Sequence, residues 1–345
     1  MVPQETVAVE PPLKVGFIFV GPISDMGWNF EQNRGRLYVE NSLGKKVVTT
    51  FAENVGESAE AERVMEKMIA QGTKLIIASS FGYLEPVMRC AKKHPDVVFM
   101  QLNRVGDAPN VGTYVSRHCE PMYVAGIVAG RMTKVNKIGF VASHPVPSTF
   151  QTIDGLALGI HSVNPKAKIN VVWTNQWIDP PTEAEAAKGL IEMGVDVLGF
   201  DQSDSSTIVK TAEKYKVYVV GNYSDVHQLA PKEWLTGNCF NWGPYYAKVA
   251  QEVIDHKWHK GVDVCDLKSG SVKVSEFGPA VPKSVRDEAL QVEHKLESGQ
   301  LEILQGPIKD RDGKVRLSLG KKADIKWLED LNFLVPGIEG PLPSK

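Results

Sequence analysis

The sequence predicts an α/β protein made of two doubly wound parallel sheets, and three observations carry that expectation. Short β-branched and apolar runs alternate with longer helical patterns from Lys14 onward. The alternation comes twice in tandem, filling residues 14 to 240. The length, 345 residues, suits about two domains at roughly 150 residues each. In the first series Val15–Val20 reads as a buried strand, Trp28–Ser42 as a helix and Lys46–Phe51 as a strand, while Ser58–Gln71 has helical spacing at Ala61, Val64, Met65 and Met68. Leu75–Ala78, Val97–Gln101 and Val111–Tyr114 continue the strands, with a helix over Pro86–Lys93. That β-α-β-α order implies a parallel sheet covered on both faces. After a helix over Pro121–Thr133 come strands at Lys137–Val141, Lys168–Trp173, Val195–Phe200, Val217–Val220 and Leu235–Phe240. They interleave with helices around Ile153–Ser162, Glu183–Met193 and Ser205–Tyr215. Beyond them Tyr245–His256 predicts a helix, Gly270–Phe277 a strand, Pro282–Ser298 a helix, and Pro307–Ser318 a hairpin turning at Asp312-Gly313.

Composition narrows the functions. Lys and Arg number 39 against 41 Asp and Glu, a formal charge of −2, so no surplus of charge draws the chain to phosphate backbones or anionic lipid. No aromatic-interleaved basic stripe occurs, and nucleic acid is not an expected partner. Cys90, Cys119, Cys239 and Cys265 are widely spaced with no C-x-x-C, which predicts isolated core thiols. The histidines show no H-E-x-x-H spacing, so no metal is expected. Neither a G-x-S-x-G elbow, nor a Walker loop, nor a G-x-G-x-x-G after the first strand is present, so neither a catalytic motif nor a nucleotide cofactor is indicated. His118-Cys119 is adjacent in sequence, but successive side chains diverge, and a structural role is expected. Val2–Pro12, with its prolines and glutamates, predicts a disordered leader over residues 1–13, with no secretory signal after Met1.

Ligands of open α/β sheets bind outside the strand C-termini, so the loops there are the ones to read. In Gly21–Phe30, Ser24 or Asp25 can serve as an N-cap, or Asp25 can meet a ligand; Trp28, in the first turn of a helix, points an indole toward the cleft. In Ser79–Tyr83, Phe81 either covers the sheet end or touches a ligand, and backbone amides such as that of Gly82 can donate. Trp177, ahead of Asp179-Pro180-Pro181, puts a second indole on the facing lobe. Asp204, Asp225 and Asn241-Trp242 follow later strands and are either polar ligand contacts or caps and turn residues.

At these residues the chain resembles the basic membrane protein family of ABC-transporter substrate-binding proteins, which includes purine-nucleoside receptors of bacterial lipoprotein type. The resemblance runs from about Lys14 to Pro343. It is carried by KVGFIFVGPISDMGWNFEQNRG, TTFAENVGES, ASSFGY, NVGTYVSRHCEPMYVAGIVAGRM, KIGFVASHPVP, NQWIDP and GPIKDRDGKVR. It implies a type I periplasmic-binding fold, two Rossmann-like lobes joined by three crossings that close on a ligand. Lobe 1 is then expected over 14–117 and 242–262, with the helix of 118–135 packed on it, and lobe 2 over 136–241 and 263–345 with the hairpin and tail.

The resemblance further implies that a base is held between two aromatic rings at Trp28 and Trp177, with Asn29 and Asp25 matching the family's Asn and leading Asp. Two departures stand out. Where family nucleoside receptors carry a G-x-D-x-D segment suited to ribose, this chain has Gly221-Asn222-Tyr223-Ser224-Asp225, and Phe240 or Asn241 falls where they have a Lys. The expectation is therefore a monomeric receptor for a free purine base such as adenine, hypoxanthine or guanine. It would need no cofactor, sit in the periplasm or on the cell surface as a lipoprotein, and deliver to an ABC permease. The alternatives are a receptor for a purine nucleoside or another small molecule, an enzyme such as a nucleoside hydrolase or transferase using Asp25 or Asp225, and a regulatory domain fused to a helix-turn-helix. About thirteen residues precede the first expected strand, too few for that last arrangement.

Overall fold

Apolar runs without polar alternation cannot lie on a half-solvated sheet, and the structure buries them on both faces. The computed structural model describes residues 11–342; most of the expected leader lies outside them. The first lobe holds β1 (Leu13–Ile18), α1 (Trp28–Leu43), β2 (Val47–Ala52), α2 (Ala59–Ala70), β3 (Leu75–Ala78), α3 (Leu84–Lys93), β4 (Val98–Leu102) and β5 (Val111–Ser116). The chain crosses to α4 (Cys119–Met132), β6 (Lys137–Ala142), α5 (Pro147–Val163), β7 (Lys168–Trp173), α6 (Pro180–Glu192), β8 (Val197–Asp201), α7 (Ser205–Tyr215), β9 (Tyr218–Gly221) and β10 (Trp234–Phe240). It crosses back to α8 (Trp242–Ile254) and β11 (Val262–Cys265), then again to β12 (Val272–Val274) and α9 (Lys283–Glu297). The tail carries β13 (Ile308–Lys309), β14 (Val315–Leu317), α10 (Ile325–Glu329) and β15 (Ile338–Glu339).

One sheet runs β11-β5-β4-β3-β1-β2 and the other β12-β10-β9-β8-β6-β7-β15. All pairs in the first are parallel; in the second, β12 alone runs antiparallel, against β10. In each sheet the opening strand stands between its two successors, β1 between β2 and β3, β6 between β7 and β8. That reversal of order opens a crevice at the strand C-termini. Helix α8 packs on α1, as expected of a segment returning to the first lobe. The hairpin turns at Asp310–Gly313, where the Asp310 carboxylate accepts the Asp312 and Lys314 amides.

Two boundaries need correction. Helix α4, expected on the first lobe, packs instead on α5, α9, β10 and β12 of the second. Small residues decide it. A Cβ on Gly159 of α5 would stand 2.0 Å from the Tyr123 carbonyl oxygen, and one on Gly126 of α4 would stand 2.3 Å from that of Leu156, so the two backbones meet directly. Apolar content around most of α4 says that it is buried, not by which lobe. The last crossing also comes later than residue 262, because β11 pairs with β5 from Val262↔Thr113 to Cys265↔Ser116. As an edge strand with Val262 and Val264 exposed, it carries little apolar signal.

The four cysteines are free thiols. Among the described residues no His, Cys, Asp and Glu group could hold a metal, and no helix is long and apolar enough to cross a membrane. Because the α4–α5 seam has no room for a methyl group, Gly159→Ala should lower stability by about 1–3 kcal/mol, the usual penalty of overpacking. Chemical denaturation checks this, and an unchanged midpoint would refute the seam as a constraint.

Candidate ligand-binding cleft

The site begins at the turn after β1. Asp25 Oδ1 accepts the Gly27 and Phe30 amides at 3.0 and 2.9 Å, and Oδ2 accepts the Asn29 amide at 2.9 Å and Asn29 Nδ2 at 2.7 Å. These are the donors that the first turn of α1 leaves unpaired. Burial still pushes the carboxyl up to about 6 against those bonds. Asn29 completes the loop by accepting the Gly21 amide at 3.2 Å. Asp25 and Asn29 are thus committed to the loop itself.

This turn carries Trp28 into the cleft, where its Nε1 donates to the Ser79 carbonyl at 2.9 Å. Its ring meets Tyr223 and Phe240 edge-on at 5.0 and 5.4 Å, and those two rings stack at 5.6 Å and 12°. All three are buried. Tyr223 holds φ at +71°, a strained value for a bulky side chain.

Trp177 stands on the second lobe. Its Nε1 donates to Glu57 Oε2 at 3.1 Å, and Glu57 Oε1 accepts the Ser80 hydroxyl at 2.5 Å and the Gly82 amide at 2.7 Å. His144 packs edge-on against the Trp177 ring at 4.7 Å. Between them the two lobes leave a cavity of about 20 Å³, roughly the room of one water molecule. The first contributes Val20, Trp28, Ser80, Phe81, Leu102 and Asn103; the second contributes Ser148, Trp177, Ser203 and Tyr223.

The lobes clasp one another around this cavity. The Trp28 amide donates to the Ser203 carbonyl at 3.0 Å, the Ser205 amide to the Asp25 carbonyl at 3.2 Å, and the Ser224 hydroxyl to Glu31 at 2.8 Å. Burial raises the Glu31 carboxyl, with Arg34 and Ser224 opposing the rise. A Cβ on Gly27 would stand 2.2 Å from the Ser203 oxygen, so only glycine allows this approach.

Of the residues singled out in sequence, Trp28, Phe81 and Trp177 wall the cavity. Asp25, Asn29, Gly82, Asp204, Asp225, Asn241 and Trp242 do not. Asp204 caps α7 through the Ser206 amide, and Asp225 accepts the His227 and Glu276 amides. Asn241 donates to the Gly270 carbonyl beside the crossings, and Trp242 stacks beneath Phe240 at 4.7 Å. Sequence reasoning passed over Glu57, although it follows the second strand and so met the same positional criterion. Ser148 was hidden because α5 starts at Pro147, a residue suited to the first helical position, rather than near Ile153.

The chain matches the family described as ABC transporter substrate-binding protein, PnrA-like (Bmp), over residues 13–306. It belongs to that family. It is 40% identical to a purine-binding protein of Brucella abortus over 97% of this chain and 95% of the relative. A putative ABC transporter glucose-binding protein of Haloferax volcanii is 29% identical over 96% of this chain and 82% of its own length. An ABC transporter solute-binding protein from Aeropyrum pernix superposes with a TM-score of 0.74 at 17% identity, covering 84% of this chain and 93% of that one. The fold is the type I periplasmic-binding fold of ABC transporter receptors, and this chain is a solute-binding protein of the Bmp family.

In this Bmp protein the first crossing is pinned by His118, fully buried, whose Nε2 donates to the Ser148 carbonyl at 3.0 Å while Nδ1 accepts from Ser116 at 2.9 Å. Burial lowers its imidazole to about 4. A buried neutral imidazole contributes stability that is fully present above about 6.5 and is lost as pH falls through about 4. Relative to His118→Gln, the wild-type protein should therefore lose up to about 3 kcal/mol between those limits. Denaturation curves at stepped pH measure the difference; parallel acid limbs would refute it.

Proposed function

We propose that this receptor binds a free purine base and hands it to the membrane permease of an ABC importer. The observation that carries the reading is the packed group of Trp28, Tyr223 and Phe240. Tyr223, and Phe240 or Asn241, stand where the family resemblance leads one to expect ribose-binding charges, and the Tyr223 and Phe240 rings pack against Trp28. Each ribose hydroxyl desolvated without a partner costs on the order of 1–3 kcal/mol. A free base avoids that penalty.

Trp28 and Trp177 offer aromatic surface from opposite lobes, which suits a flat ring. One aromatic pair is worth about 0.5–1.5 kcal/mol beyond area burial, whereas micromolar affinity needs about 8 kcal/mol, so edge hydrogen bonds and closure supply the rest. The purine-binding relative supports the same ligand class. The ligand leaves unchanged: Asp25 and Asp225, the carboxylates an enzyme would use, are engaged by backbone amides. The protein works as a monomeric lipoprotein of the periplasm or outer surface.

Calorimetry on ligand-stripped protein tests the reading. Adenine, hypoxanthine or guanine should bind at least about tenfold more tightly than the matching nucleoside, with quenching of tryptophan fluorescence, and glucose should give no heat. Trp28→Ala and Trp177→Ala should each weaken the base by about tenfold or more. Nucleosides binding as well as the bases, or both variants binding normally, would overturn it.

A further inference from the structure

Lobe 2 buries a group of polar side chains that the clasp does not use. Asp201 ends β8 in register with Ala142 of β6 and is 1% exposed. Among the described residues neither of its carboxylate oxygens meets a donor in full hydrogen-bond geometry, although the Thr149 hydroxyl lies close enough to favour the charged form. Ser143, next after β6, and Thr149, in the first turn of α5, are fully buried, and their hydroxyls likewise lack a partner in that geometry. Gln202 donates its amide nitrogen to Thr174 at 3.0 Å and leaves Oε1 unpaired. Such atoms are rare in folded proteins, and each costs on the order of 1–3 kcal/mol if nothing meets it.

Their location is the second observation. Ser143 and Asp201 follow or end the two strands that flank the switch point of this sheet, where ligands of open α/β folds bind. Ser148, next to Thr149, and Ser203, two residues beyond Asp201, wall the cavity. Asp201, Ser143 and Thr149 are not themselves wall residues, but they adjoin the lobe-2 wall in the chain, where the Ser203 amide donates to the Trp177 carbonyl at 2.9 Å. A ring stacked on indoles has its faces covered, so its edge is what remains to be recognised.

We propose that Asp201, backed by Ser143 and Thr149, is the specificity-determining residue of the cleft and reads a heterocycle edge carrying an N–H donor beside a ring-nitrogen acceptor, as a 6-aminopurine does. The inference rests on the purine reading above. Burial pushes the Asp201 carboxyl up to about 7, with the Thr149 hydroxyl opposing the rise. A neutral carboxyl is a planar fork with one O–H donor and one acceptor oxygen, the complement of that edge. An apolar site of the same shape would bind ring area but could not tell an amino group from hydrogen.

Calorimetry with adenine, unsubstituted purine and N6,N6-dimethyladenine on the ligand-stripped full chain decides it. Wild-type protein should prefer adenine to each of the other two by at least about tenfold, because a site built to pair an N–H rejects analogues lacking it. Asp201→Leu should collapse the preference over purine to within about threefold by losing adenine affinity, while Asp201→Asn, which keeps a donor beside an acceptor, should preserve it. Equal wild-type affinity for adenine and its dimethyl analogue overturns the inference without any variant. So does a folded Asp201→Leu protein that keeps the preference or weakens both ligands alike. If no purine base binds the wild-type protein, the purine reading itself fails and takes this inference with it; if bases bind regardless of Asp201, only this inference falls.

Discussion

The cleft depends on one buried carboxylate. Asp25 gathers three backbone amides and the Asn29 side chain, and in doing so it fixes the path of the chain between β1 and α1. Charge-assisted bonds of this kind are among the stronger ones, which explains how the group tolerates burial. Everything nearby follows from the turn it holds. Trp28 projects inward, its indole nitrogen reaches Ser79, and the same loop offers an amide and a carbonyl to the opposite lobe. A residue that looked like a ligand contact is instead the reason the contacts stand where they do.

The two lobes meet through chemically different surfaces. On one side of the cavity Trp28 abuts, edge-on, a buried aromatic stack of Tyr223, Phe240, Trp242 and Tyr246. On the other, Glu57 ties Trp177 to Ser80 and Gly82 through hydrogen bonds. The first surface is built of packed rings. The second holds its indole by a directional bond, so Trp177 keeps one orientation when the lobes are together.

Much of this was legible in the sequence. Apolar runs and helical spacing located the strands and helices, because buried parallel strands leave few polar residues to confuse the period. Trp28 and Trp177 could be placed at the mouth because each follows a strand C-terminus, although Trp242, which does so too, packs beneath Phe240 instead. The carboxylates could not be sorted. Asp25, Asp204 and Asp225 cap turns and helices, and capping selects the same residue types, at the same strand ends, as ligand binding does. Asp201 escaped notice for a related reason: it closes a strand whose other residues are apolar, and only the structure shows its oxygens without a donor in full hydrogen-bond geometry. The lobe membership of α4 rests on glycine-to-backbone contacts between distant segments, which no local pattern records.

The clasp at Ser203 and Ser205 is made by main-chain atoms on both sides. Peptide groups are the same whatever side chains they bear. The walls of the cavity at Trp177 and Tyr223 can therefore change identity while this contact between the lobes is kept, provided Gly27 stays without a side chain. What lines the cavity and how the lobes meet are separate inheritances in such a scaffold.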